Sequence, residues 1–293
     1  MKIPLQHYHS RMQRVLDYID HHLDDELSVE ILSNVAAFSK YHFHRQFTAL
    51  FGLSVHNYIQ LSRLKRASFR LAYRNAERIT NIALDAGYDA PDAFARAFRK
   101  QFGQSPSTFR TDPDWQQLLE TFEPLDQARS RCIQLRFTIE DITIRETDPI
   151  PVAIMTHRGN PATIGATIQR FIAWRKATGL TPRISPTFNI FHSDPHTTSP
   201  EEYRLDLCVG ANRRSDANGE NIEQGIIPGG RCAVLRITGQ SDNLEQAAAY
   251  LYRVWLPISN ETPGDFPLYC QRITLFPDVA EHQAVTDLFL PLQ

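Results

Sequence analysis

The sequence has no run of about 18 consecutive apolar residues, the length a helix needs to cross a bilayer, and its first ten residues lack the apolar stretch of a secretory signal. A membrane-spanning class is set aside on that ground, and a cytoplasmic protein is expected. Cysteine is sparse. The four residues Cys132, Cys208, Cys232 and Cys270 show no CxxC spacing, the pattern of zinc ribbons and thiol redox motifs, so reduced thiols are expected. The histidine pairs His7 and His9, His21 and His22, and His42 and His44 lack a Cys or acidic partner at ligand spacing, which leaves metal coordination without support. No glycine-rich phosphate loop or GxSxG elbow occurs, and no catalytic Ser-His-Asp order or catalytic carboxylate pair can be identified in the second half. No enzyme and no cofactor are therefore expected.

Proline is scarce in one part only. Of 18 prolines, just Pro4, Pro91 and Pro106 precede residue 112, and that part places apolar residues at the three- and four-residue spacing of helices. Beyond it, short alternating runs (139–145, 152–156, 204–209 and 232–237) read as strands interleaved with helical stretches and punctuated by Pro and Gly. Charge divides at the same place. Residues 1–111 carry 15 basic and 10 acidic side chains, whereas residues 112–293 carry 16 and 23. A basic half suits phosphate binding, because displaced counterions drive much of the affinity for nucleic acid. The chain is long enough for two ordinary domains. The expected organisation is a helical domain over 1–111, a linker over 112–138 and a second domain over 139–293. The linker carries Trp115, Leu118, Leu119 and Phe122, apolar side chains able to dock between domains.

Each half contains an internal repeat. A shift of 51 residues superposes Phe43, Arg45, Phe47, Phe51, Gly52, Ser54 and Tyr58 on Phe94, Arg96, Phe98, Phe102, Gly103, Ser105 and Phe109. A shift of 80 aligns Val152, Ala153, Ile154 and Met155 with Cys232, Ala233, Val234 and Leu235, then Gly159 with Gly239 and Ile164 with Leu244. The second repeat suggests two copies of a strand, a turn and a helix.

In the first 51-residue unit, Ser28 is placed to cap a helix over 29–35 and Ser39 to cap a second one from 40 to about 50. Phe43, Phe47 and Leu50 share its buried face, which leaves Lys40, Tyr41, His44, Arg45 and Thr48 toward solvent. A helix so exposed can lie in a major groove and reach base edges. The second unit repeats the plan with helices over 79–86 and 91–102; Gly87 suits a turn with positive φ, and Pro91 suits a first helical turn. Residues 57–74 between them read as one helix of about 27 Å, comparable to the roughly 34 Å between successive major grooves on one DNA face. Along it, Arg63, Lys65, Arg66 and Arg70 are either phosphate contacts or a solvated face.

The run Ile79-Thr-Asn-Ile-Ala-Leu-Asp-Ala-Gly-Tyr88, with Phe94-Ala-Arg-Ala-Phe98, Phe102-Gly103, Pro106 and Phe109-Arg110, resembles the signature of AraC/XylS-type transcription regulators over about residues 8–111. The resemblance implies that the recognition helices are 40–50 and 91–102. Lys40, Tyr41, His44 and Arg45 would then contact DNA from the first, and Asp92, Arg96, Arg99 and Lys100 from the second. The second recognition helix is poor in reach, since Ala90, Pro91, Ala93 and Ala95 offer no side-chain hydrogen bonds. The first unit is thus expected to supply most base discrimination, and the second backbone positioning, apolar contact with thymine methyls or relatively little.

In the other half, twofold repetition of strand, helix and further strands implies an α+β domain with antiparallel sheets and helices against one side. Trp174, Phe188, Trp255 and Tyr269 either line a cleft at the seam of the two copies or belong to an aromatic core. The stretches Phe191-His-Ser-Asp-Pro195, Pro200-Glu-Glu-Tyr-Arg-Leu-Asp-Leu-Cys-Val209, Pro228-Gly-Gly-Arg-Cys-Ala-Val234 and Trp255-Leu-Pro257 resemble the GyrI-like effector-binding domain, and the order of the halves resembles Rob-type regulators. The resemblance implies a small-molecule effector in a central cleft. Where that family often carries Glu after Pro-x-aromatic, this sequence reads Pro267-Leu-Tyr-Cys270. A cation would lack its carboxylate partner unless Glu223, Glu245 or Asp265 supplies one, so a neutral or amphipathic effector is expected.

The expected function is a sequence-specific, effector-responsive transcription regulator, binding duplex DNA as a monomer or weak dimer, with RNA polymerase as a further partner and no membrane association. Two rivals stand beside it: a C-terminal protein-interaction module, and a cleft hydrolase tethered to DNA-binding units, with Cys270 and His282 as nucleophile and base.

Overall fold

A computed structural model describes residues 3–132, 137–195, 197–211, 221–239 and 243–293, and divides into two units, Met1–Gln134 and Leu135–Gln293. The side chains of His7 and Cys132, and residues 133–136 of the expected linker, lie outside what is described. Among the described residues no helix is long and apolar enough to cross a membrane.

The first unit contains α1 (Ile3–His21), α2 (Val29–Val35), α3 (Lys40–Phe51), α4 (Val55–Tyr73), α5 (Ile79–Asp85), α6 (Pro91–Phe102), α7 (Pro106–Thr111) and α8 (Trp115–Cys132). Side-chain oxygens set several of the starts. Ser28, Ser39, Ser54 and Ser105 accept from the backbone N–H of Ile31, His42, Asn57 and Thr108, each satisfying a donor that the first helical turn leaves free. Gly52 and Gly103 end α3 and α6 in the left-handed conformation. The 51-residue repeat is thus two helix-turn-helix units, α2–α3 and α5–α6, joined by α4. The turns also correspond, with φ of 51° at Ala37 and 81° at Gly87. Phe43, Phe47 and Phe51 are buried, as are Phe94, Phe98 and Phe102. Leu50, expected on the buried face, is only half-buried, because Phe51, one position on, fills that place against Phe47 at a ring separation of 4.5 Å.

The stretch that the sequence presents as a linker is largely α8. Its Leu118, Phe122, Leu125 and Ala128 are buried and it packs on α1, α3, α4 and α6. Trp115 stacks on Tyr73 and Phe122 meets Phe102. These apolar side chains complete the core of the helical unit itself. Arg129, buried, donates to the Asp20 carboxylate of α1 through two nitrogens.

The second unit consists of β1 (Ile142–Thr147), β2 (Ile150–Arg158), α9 (Ile164–Thr178), β3 (Thr187–Phe191), β4 (Arg204–Gly210), β5 (Glu223–Ile227), β6 (Gly230–Thr238), α10 (Asn243–Tyr250), α11 (Leu256–Ser259), β7 (Tyr269–Thr274) and β8 (Val285–Pro291). The expected strand 139–145 begins only at Ile142, after a single tight turn over Ile139–Asp141. The eight strands form one antiparallel sheet in the order β1-β6-β8-β7-β3-β4-β2-β5. The 80-residue repeat maps β1–β2–α9–β3–β4 onto β5–β6–α10–β7–β8. Each copy lends its first strand to the other, since β1 pairs with β6 and β5 with β2. The seam is the β3–β7 ladder.

Register decides which face each side chain takes, because ladder partners point the same way. One row runs Leu235, Leu288, Cys270, Asn189, Leu207 and Met155. Its members pack under α10 at one end and α9 at the other, so both helices cover the same face. The next row, Val234, Phe289, Tyr269, Ile190, Asp206 and Thr156, points away from the helices.

Candidate nucleic-acid interface and effector face

On α3, the side chains of Lys40, Tyr41, His44 and Arg45 all face solvent, and Tyr41 is 66% exposed. Tyr41 is therefore no core residue. Its hydroxyl accepts from Arg45 Nη1 at 2.9 Å, one helical turn on, and the Arg45 guanidinium lies 5.6 Å from its ring centroid. A cation–π contact of this kind limits the rotamers of a long side chain before any ligand arrives. Lys40 Nζ reaches Glu30 of α2 at 2.8 Å, and this contact holds the Glu30 carboxyl below its usual pKa.

On α6, Asp92, Arg96, Arg99 and Lys100 are exposed. The side chains of Arg96, Arg99 and Lys100 have no hydrogen bond or ion pair among the described residues. Asp92 sits in the first turn, where Ala90 gives no side-chain cap; a carboxylate there complements the positive end of the helix. Phe94, Phe98 and Phe102 bury the opposite side. The two candidate reading helices thus differ: α3 presents cations already tied to neighbours, and α6 presents three untied ones.

The α4 basic residues point inward, to neighbouring segments. Arg63 donates to the carbonyls of Leu23 and Asp25, Lys65 reaches Asp126, Arg66 bridges the Asp24 carboxylate and the Asp85 carbonyl, and Arg70 bridges Glu77 and Asp85. These groups brace α4 against the loop after α1, against α8 and against α5. Of the two roles left open by the sequence, phosphate contact and solvated face, the structure shows neither.

In the second unit the five residues expected at the effector do not converge. Phe188 and Tyr269 lie on the face away from the helices, in one apolar cluster with Ile190, Cys208, Val234 and Phe289. Tyr269 stacks on Phe289 at 4.8 Å with nearly parallel planes, and its hydroxyl lies 3.8 Å from Cys232 Sγ. Cys270 and Trp255 belong instead to the core beneath α10, and Trp174 is half-buried beside the α9 core, stacked on Phe171. The strand alternation of Tyr269 and Cys270 sends them to opposite faces, so Cys270 stands in no cleft on the Tyr269 side. Burial pushes its thiol pKa up, which disfavours the thiolate a nucleophile needs.

Two carboxylates that sequence reasoning missed lie on the Tyr269 face, at equivalent places in the two copies. Asp206 is opposite Thr156 in the β2–β4 ladder, and Asp287 is opposite Arg236 in the β6–β8 ladder. Both are buried. Asp206 accepts from Thr156 Oγ1 at 2.8 Å, from His192 Nε2 at 2.7 Å, and from Arg204 Nε and Nη2 at 3.1 and 2.8 Å. Asp287 accepts from Arg236 Nε and Nη2 at 2.6 and 2.7 Å. The usable signal was the period-two pattern, which puts Asp206 in phase with Cys208 and Asp287 in phase with Phe289. The face is apolar in its middle and carries satisfied ion pairs toward its margins. Among the described residues no group of three or more His, Cys, Asp or Glu is placed to hold a metal ion.

Comparison with known proteins matches residues 140–293 to a family described as the GyrI-like small molecule binding domain and residues 32–112 to a helix-turn-helix domain. The chain is 35% identical over 153 residues to the probable transcriptional regulator YgiV of Escherichia coli (strain K12), covering 52% of this chain and 96% of that protein. It is 36% identical over 101 residues to the right origin-binding protein of the same strain, covering 34% of this chain and 35% of that protein. The cryo-EM structure of an EcmrR–DNA complex aligns with 89% of this chain and 84% of that chain at 13% identity and a TM-score of 0.44.

Proposed function

Because this chain belongs to the family with a GyrI-like small molecule binding domain, preceded here by an AraC-type helix-turn-helix domain, we propose that it reads duplex DNA through α3 and α6 and answers to a small amphipathic effector bound on the sheet face away from α9 and α10. It is a DNA-binding transcription regulator; the finer assignments are our reading. The observation that carries them is the pair of repeat-related helices that bury their phenylalanines and turn Tyr41, His44, Arg45, Arg96, Arg99 and Lys100 outward. Residues 1–111 form the DNA-reading region in this reading, residues 139–293 the effector region, and the protein works in the cytoplasm without catalysis. Arg45, preset by Tyr41, is the main base reader, and the untied cations of α6 engage the phosphate backbone.

The effector is neutral. Asp206 and Asp287 already hold Arg204 and Arg236, so a cation would compete with an internal guanidinium for either. Phe188, Ile190, Tyr269 and Phe289 are buried in one apolar cluster on this face, surroundings that suit a neutral ligand better than a charged one. Such a ligand alters transcription only by binding the DNA-competent arrangement and its alternative with different affinity.

The test uses the full chain and a DNA site selected from a random library. Arg45→Ala should weaken binding by about 1–3 kcal/mol and relax preference at one base pair, as loss of a bidentate base contact does. Calorimetric titration with neutral amphipathic compounds should show saturable binding that changes the DNA affinity. An Arg45→Ala protein with unaltered affinity and preference would refute the DNA reading, and absence of saturable binding would refute the effector reading.

A further inference from the structure

Arg63, Arg66 and Arg70 lie along one face of α4 at spacings of three and four. Arg66 and Arg70 each meet a carboxylate, and so does the neighbouring Lys65. Arg63 differs. Its Nε and Nη2 donate to the carbonyls of Leu23 and Asp25, each at 2.9 Å, while Nη1 has no hydrogen bond and no carboxylate at ion-pair distance among the described residues. Desolvation, followed by the like charge of Arg66, pulls its pKa down against the opposing influence of Asp24 and Tyr88. Asp24 attracts Arg63 without a direct ion pair; a half-buried guanidinium whose Nη1 meets no acceptor among the described residues remains poorly compensated, and an anion from outside would relieve that cost.

The space for such an anion exists. Arg63 lines a cavity of about 300 Å³ whose apolar walls are Leu27, Ile59 and Ala86, with the ring of Tyr88, the imidazole of His56, the amide of Gln60 and the exposed carboxylate of Glu26 around it. The turn that closes one side contains Gly87 at φ +81°, and a Cβ there would stand 2.7 Å from Arg63 Nη1. Glycine leaves the edge of the guanidinium clear. The volume is at the lower end of small-molecule sites, and the lining joins apolar walls to a few polar groups, the Arg63 guanidinium and the opposing Glu26 carboxylate among them.

We propose that this cavity binds a small aromatic carboxylate, its oxygens on Arg63 Nη1 and its ring between Tyr88 and the Leu27–Ile59 wall. The occupant touches both helix-turn-helix units, through Leu27 ahead of α2 and Tyr88 ahead of α6. The site is separate from the sheet face assigned to the effector. Glu26 disfavours dianions and sets a preference for a single negative charge.

The probe is 4-fluorobenzoate, with the neutral 4-fluorobenzamide as its control, followed by fluorine NMR line broadening on the full chain. The benzoate should broaden saturably and the benzamide should not. Glu26→Gln should tighten benzoate binding by about threefold, and Arg63→Gln should weaken it by about tenfold or more. Because Arg63 also holds two backbone carbonyls, Arg63→Gln could unfold the loop; Gln60→Trp, an exposed position at the cavity mouth, should block the benzoate without touching those bonds. Equal broadening of both probes, or broadening indifferent to Glu26→Gln and Gln60→Trp, overturns the site. Retention of the benzoate on DNA-bound protein supports a free small molecule. Its expulsion by duplex DNA means that a backbone phosphate takes the place, which overturns the small-molecule assignment.

Discussion

Replacing Asp206 by Asn should destabilise the second unit through the loss of one buried charge. The Asp206 side chain is 2% exposed, and it accepts hydrogen bonds from Arg204, His192 and Thr156. Burial alone would raise its pKa, but the hydrogen bonds from Arg204, Thr156 and His192 and the charge of His192 outweigh burial and hold the carboxyl below its usual value. Breaking a fully buried pair costs about 3–5 kcal/mol. Arg204 and His192 keep 33% and 25% of their side-chain surface, so part of that cost is relieved by water, and Asn still accepts two of the bonds. About 2 kcal/mol for Asp206→Asn and about 3 kcal/mol for Asp206→Ala are expected. The pH dependence has a definite sign. A carboxyl whose folded pKa lies below its unfolded value stabilises the fold above about pH 4 and loses that contribution as pH falls through the folded value. The gap between wild type and Asp206→Asn should therefore be largest at neutral pH and close in acid. Urea denaturation followed by tryptophan emission, to which Trp174 and Trp255 contribute, measures it at each pH. A variant as stable as wild type at neutral pH, or a gap that does not change with pH, would refute the reasoning.

Other perturbations have equally definite outcomes. Arg70→Met removes the bridge to Glu77 and Asp85 and should cost the helical unit about 1–2 kcal/mol, read as a lower thermal midpoint by circular dichroism. Ala37 occupies at φ 51° the turn position that Gly87 occupies in the second unit, so Ala37→Gly should stabilise by about 0.5–1 kcal/mol; destabilisation would mean that the Ala37 methyl packs usefully. Gly103→Ala meets no atom within 4 Å and should lose only the backbone cost, about 1 kcal/mol, in the same assay. Arg99→Ala and Lys100→Ala should each lower the slope of log affinity against log salt by about one, and an unchanged slope would remove that residue from the backbone contacts.

Local signals located the first unit well. Ser28, Ser39, Pro91, Gly52 and Gly103 act within a few residues of themselves, so the helices they bound are legible without knowing what packs on them. The exposure of Tyr41, His44 and Arg45 followed from the period of Phe43 and Phe47, whereas Arg96, Arg99 and Lys100 came from the family resemblance. The α4 arginines were not legible in this way. Their partners Leu23, Asp24, Glu77 and Asp85 lie 7 to 42 residues away in sequence, and a basic residue looks the same whether its counterion is a phosphate or a distant Asp. The linker misled for a similar reason. Leu118 and Phe122 show that something apolar is covered, and only the packing on α1, α3, α4 and α6 shows that the cover is the helical unit.

By itself the sequence determined the two repeats, the helix boundaries within the two helix-turn-helix units and the family, because caps, glycine turns and hydrophobic period are written in neighbouring residues. Tertiary structure alone decided which strands pair. The exchange of β1 and β5 between copies and the β3–β7 seam join residues far apart in the chain, and no local pattern specifies them. That pairing sets the register, and the register sends Tyr269 to one face and Cys270 to the other while bringing Asp206 to Thr156, His192 and Arg204. A one-residue shift would reverse every one of these assignments, since side chains alternate across a sheet with a period of two.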